Sequence, residues 1–159
     1  MKKRTLNEID ADLKTIKREI SGEQEPELFS LKDIMRAFFG ALFLGFGFVF
    51  SKLLFEASMG LGWASIITIV ISTILIISAE IYFIGYERVK EKGKRKFLQF
   101  WAKRFFAFYP IGIIVSYYLV AVFGLLGQVG STENAIKLIL AVSMPCSIGA
   151  AISDLLKKY

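Results

Sequence analysis

Glu80 sits in "ISAEIYFIG", residues 77–85, at the end of a run otherwise free of charge. A carboxylate among Ile76, Ile77, Ile81, Phe83 and Ile84 can bind a proton, attract a cation or pair with a base. Read as a helix at 100° per residue, Glu80, Thr73 and Ser65 fall within about 80° of one another, with Ser72 beside them. Such a strip of acid and hydroxyls suits an ion pathway, where side-chain oxygens replace part of a hydration shell.

Other chemistries are excluded by residue type. With no histidine, His-based metal sites, His general bases and Ser-His-Asp catalysis cannot be built. Cys146 alone cannot form a thiolate cluster, and no Gly-rich phosphate or dinucleotide loop occurs. Intramembrane aspartyl proteolysis would need two embedded Asp residues, and only Asp154 is near a span. No enzyme activity, metal or cofactor is expected.

The elements that position Glu80 follow from how charge is distributed. The chain has 159 residues, is 55% hydrophobic, and carries a formal charge of +6. Uncharged gaps of fifteen, twenty-three, twenty-eight and sixteen residues separate Arg36 from Lys52, Glu56 from Glu80, Arg104 from Glu133, and Lys137 from Asp154. A hydrocarbon core of about 30 Å needs roughly 20 helical residues, so the gaps suit spans whose end residues snorkel. Strand is excluded despite the β-branched "SIITIVISTILIIS", because a lone strand in lipid leaves its amides unpaired. The expected fold is all-α: a polytopic membrane protein with four transmembrane helices, at about residues 31–55, 62–85, 104–126 and 133–155. They form one domain, 30–159. Trp63, Trp101, Tyr82 and Tyr86 suit interfacial belts.

Orientation follows from the loops. Residues 87–104 carry eight Lys/Arg against two Glu, while "EASMGLG" and "GQVGSTEN" carry no basic residue. The positive-inside rule places both termini and the central connection in the cytoplasm of a multi-pass cell-membrane protein. There the basic-aromatic stretch "KGKRKFLQFWAKRFFAFYP" meets anionic lipid head groups, and no nucleic acid is expected. The stretch reads either as an interfacial helix turning into the third span near Pro110 or as a straight start of that span.

Ahead of the spans, residues 1–29 form a cytoplasmic amphipathic segment and acidic linker. Leu6, Ile9, Leu13, Ile16 and Ile20 alternate spacings of three and four, a seam for left-handed helix packing. A coiled coil between subunits, docking onto the protein's own loops, and a helix lying on lipid all fit it. Among the spans, small residues recur every four positions at Ala37, Ala41 and Gly45, at Gly112 and Ser116, and at Ala141, Pro145, Gly149 and Ser153. These permit close helix contact. Pro110 and Pro145 are candidate kinks, each lacking an amide donor. Three readings of Glu80 remain: a salt bridge with Arg36, Lys103 or Arg104, a proton- or cation-binding group, and snorkelling to head groups.

"DIMRAFFGALFLGFGF", "ISAEIYFIGY" and "AVSMPCSIGAA" together resemble segments of small uncharacterised prokaryotic four-span integral membrane proteins. The resemblance covers about residues 30–156. It implies a four-span body and assigns no activity or functional residue. A potassium-channel filter pattern is absent, and small multidrug exporters carry their essential Glu in the first span, where this chain has none in the membrane run. The expected function is a small-ion channel or transporter subunit, cation or proton linked and homo-oligomeric. The alternative is a non-catalytic membrane scaffold, partner subunit or lipid-sensing module.

Overall fold

Hydrocarbon offers no partner to a backbone amide, so the apolar runs satisfy themselves as helices. The computed structural model describes Leu13, residues 31–86 and residues 97–155, without the side chains of the last two. Leu13 is helical and exposed. Leu6, Ile9, Ile16 and Ile20 of the expected seam lie outside the described residues.

Helix α1 spans Leu31–Val49, α2 Lys52–Gly60 and α3 Trp63–Glu80, which continues as a π-helical turn, Ile81–Tyr86. Then come α4 (Phe97–Val122), the short α5 (Leu125–Gln128) and α6 (Thr132–Leu155). Three stretches are long and apolar enough to cross a membrane: Trp63–Tyr86, Phe97–Val122 and Thr132–Ser153. The pair α1 and α2 makes a fourth if counted as one bent span.

That pair corrects the first expected boundary. Instead of one rod over 31–55, the chain turns by 82° between Val49 and Lys52. Ser51 is the cause. Its amide closes a tight turn on the Phe48 carbonyl at 3.0 Å, and its hydroxyl accepts from the Leu54 amide at 3.3 Å. It thereby ends one helix and caps the next. The third expected span moves too, from 104–126 to Phe97–Val122, with Pro110 inside a continuous helix. Its end is set by Gly124, whose φ of 69° is costly for other residues. At α6 the Ser131 hydroxyl accepts from the Asn134 amide at 3.2 Å, capping the helix.

Helix α6 is the axle of the bundle. Of its apolar window 61% is buried, against 39% for α4 and 22% for α3. Close approach explains this. A Cβ on Gly40 would strike the Gly149 carbonyl, and one on Gly149 would strike the Gly40 carbonyl. A Cβ on Gly45 would meet Cys146 Sγ and, at 2.8 Å, Leu119 Cδ1, while one on Gly112 would lie 2.7 Å from Ser147 Cα. Ala37, Ala41, Gly45, Ala141, Pro145 and Gly149 are all buried, so the four-residue stripes face one another. Where lipid removes the hydrophobic drive between helices, this backbone-to-backbone packing supplies the adhesion.

Candidate functional site

The contacts fix which residues share a level. Trp63 meets Lys137, with the ammonium 5.6 Å from the ring centroid, so α3 starts near the start of α6 and runs alongside it in the same direction. Counting about 1.5 Å per residue from there puts Glu80 at roughly the level of residue 154. The Ser153 hydroxyl donates to the Arg36 carbonyl at 3.0 Å. Gly112 against Ser147 places Arg104 near the same height on the antiparallel α4. One end of the bundle therefore gathers Asp33, Arg36, Glu80, Arg104 and Ser153 from all four long helices.

Glu80 is the last residue of α3. The Ile81 amide after it reaches both the Ile77 and Ser78 carbonyls, and the chain then widens into the π turn. Such insertions shift the helical phase and frequently mark functional positions. Here Tyr82 and Tyr86 are brought against Phe97, with centroids at 5.5 and 5.0 Å. Glu80 is half-buried, and its Oε2 is buried with no hydrogen-bond partner among the described residues. An ionised carboxylate in that setting is expensive unless something else meets it.

The three bases considered for it are engaged elsewhere or point out. Arg36 Nη1 donates to Asp33 Oδ1 at 3.4 Å. The Arg104 guanidinium lies 3.9 Å from the Phe100 ring centroid, a cation–π contact. Lys103 is exposed. Among the described residues no ion pair joins Glu80 to any of them. The hydroxyl strip is also dispersed: Thr73 is buried and donates to the Ile69 carbonyl at 2.7 Å, Ser72 is half-buried, and Ser65 is exposed. Pro145 is buried and Pro110 exposed, each within an unbroken helix. The hydroxyl of Ser143 donates to the Leu140 carbonyl at 2.8 Å, one turn before the proline.

Two features escaped residue-by-residue reading. Trp101 Nε1–H donates to Ser78 Oγ at 3.0 Å, tying α4 to α3 two residues from Glu80. Its ring begins a stack with Phe105 and Tyr109, at centroid spacings of 4.8 and 5.7 Å. The i, i+4 spacing of these aromatics was the available signal; the Ser78 partner was not local. At the opposite end Lys137 is only 8% exposed, paired with Glu133 at 2.7 Å and covered by Trp63. Lys52, by contrast, is exposed in an i, i+4 pair with Glu56 at 3.4 Å. No group of three or more potential metal ligands occurs among the described residues.

No curated protein and no solved structure matches the chain significantly. One family model does, described as "Putative integral membrane protein (DUF2391)", over residues 3–156. The match reaches back through the amino-terminal segment, which the resemblance over 30–156 had left outside. This chain therefore belongs to that family of integral membrane proteins.

Proposed function

We propose that this chain is the subunit of a small-ion channel or transporter, cation or proton linked, in which Glu80 receives the ion. The carrying observation is Glu80 Oε2, buried with no hydrogen-bond partner among the described residues. Water, a proton or a passing cation would supply what the protein side chains do not. The Gly40–Gly149 and Gly112–Ser147 contacts leave no room between α6 and α1 or α4 there, so we put the route beside α3, the least covered of the three single-helix spans. A second copy against that side would complete it, which makes the assembly a homo-oligomer. In this reading α1 with α2 is a crossing unit, there are four spans, and both termini and residues 87–96 are cytoplasmic. The basic residues of that connection then meet anionic head groups. The role is non-catalytic and needs no cofactor.

Flux in reconstituted vesicles tests this. Proton- or cation-driven uptake should exceed that of empty vesicles and fall at least tenfold in Glu80→Gln. Uptake equal to empty vesicles across several cations, anions and pH gradients would sink it. A second reading, a non-catalytic scaffold, partner subunit or lipid-sensing module, is favoured by the close-packed glycine seam around α6. It expects no flux, together with an unchanged assembly in Glu80→Gln.

A further inference from the structure

An apolar groove of about 1130 Å³ lies between α1 and α4, walled by Phe39, Phe43 and Phe46 on one side and Tyr118, Val122 and Phe123 on the other. It is open along one side, with Phe39, Phe43 and Phe46 exposed. Phe46, Phe50 and Phe123 meet edge to face with centroids at 4.8, 5.6 and 4.7 Å, tying α1 to the end of α4 beside it. Gly47 lines it, and a Cβ there would meet no atom within 4 Å. That contrasts with Gly40, Gly45, Gly112 and Gly149, where helix packing leaves no space for a side chain. At Gly47 the missing side chain leaves room for something other than protein.

Length and polarity identify the occupant. On α1 the lining runs from Phe39 to Phe48, about 14 Å of helix, and ends at Ser51 just past it, close to the roughly 15 Å depth of one leaflet. Besides Tyr118, its polar lining residue is Ser51, at the 82° corner. Lys52 follows directly, 86% exposed, and its contact with the exposed Glu56 is a surface pair that binds it weakly. A slot of leaflet depth with one cationic lip matches a chain with one anionic end. We propose that this groove holds one acyl chain of an anionic phospholipid, its phosphate at the Ser51–Lys52 corner. The site is independent of Glu80 and of any transport role.

The test is native mass spectrometry of the full chain in mild detergent, titrated with phosphatidylglycerol or phosphatidylcholine of identical chains. The expected result is a one-lipid adduct several-fold more abundant with phosphatidylglycerol. Gly47→Phe fills the slot and lowers both adducts at least fivefold, whereas Lys52→Gln abolishes only the preference. Equal adducts for the two lipids, or for wild type and Gly47→Phe, would overturn the proposal. So would a changed subunit mass in Gly47→Phe, which would assign the groove to a second copy. Should that variant not fold, Phe43→Trp in vesicles decides. Stronger quenching by brominated phosphatidylglycerol than by brominated phosphatidylcholine supports the site, and equal quenching rejects it.

Discussion

Gly149→Ala and Gly47→Ala add the same methyl group to helices of the same bundle and should have opposite consequences. At residue 149 the new carbon would sit 3.0 Å from the Gly40 carbonyl carbon and 3.1 Å from Leu44 Cβ, and nearer still to the Gly40 oxygen. Comfortable carbon contacts need about 3.5–4.0 Å, so α1 and α6 must part by roughly 0.5–1 Å, which forfeits a quarter to a half of each pairwise attraction along the seam. Overpacking of this kind costs about 1–3 kcal/mol, set against a helix-propensity gain of at most about 1 kcal/mol. The net expectation is a loss of about 1–2 kcal/mol. Gly47→Ala receives the propensity gain alone, because its Cβ meets nothing within 4 Å. Reversible unfolding in mixed micelles, followed by circular dichroism against detergent mole fraction, measures both. Gly149→Ala as stable as Gly47→Ala would refute the close backbone approach. Since one separation of the helices accommodates both new methyls, Gly40→Ala/Gly149→Ala should lose less than the sum of the single variants.

Trp101→Phe keeps an aromatic ring above Phe105 but removes the donor to Ser78, and should cost about 1 kcal/mol in the same unfolding assay. No loss would show that the α3–α4 tie is not made in lipid. For orientation, Cys146 is fully buried, so an introduced thiol reports alone. In sealed cells Lys52→Cys should react with an impermeant maleimide and Lys94→Cys should not. The reverse pattern would overturn the cytoplasmic placement of the 87–96 connection.

The apolar spans were legible because a membrane sorts residues by charge, and charge gaps are read along the chain. The packing stripes of α1 and α6 were legible for a related reason: small residues at every fourth position share a face whatever they meet. The corner at Ser51 was not. Hydropathy continues across it in "GFVFSKLLF", and the decision rests on one hydroxyl capping a new helix. Around the start of α4 the sequence left two readings, a turn near Pro110 or a straight start, and a single helix decides for the second. Arg104 covers Phe100 with its guanidinium, and the helix reaches back to Phe97. Lys137 stood in the sequence only as the edge of an uncharged run. Glu133, one turn away, was visible as a partner, but Trp63 arrives from another span, and no local pattern could announce it. The charge at Glu80 was plain from the start. Its company was not, since Arg36 and Arg104 were reachable by level and are engaged with Asp33 and Phe100.

Helix α6, gripped by its neighbours, cannot shift without disturbing several of them at once. The lightly covered α3 is held by fewer ties, Trp63 on Lys137 at its start and Ser78 accepting from Trp101 near its end. Were the Trp101 tie released, it would become a lever about 26 Å long from the Trp63 fulcrum to its acidic tip. A swing of about 10° around the fulcrum would sweep Glu80 through roughly 4–5 Å, given the 1.5 Å rise. That is enough to carry a carboxylate from one set of neighbours to another while the glycine seam stays shut.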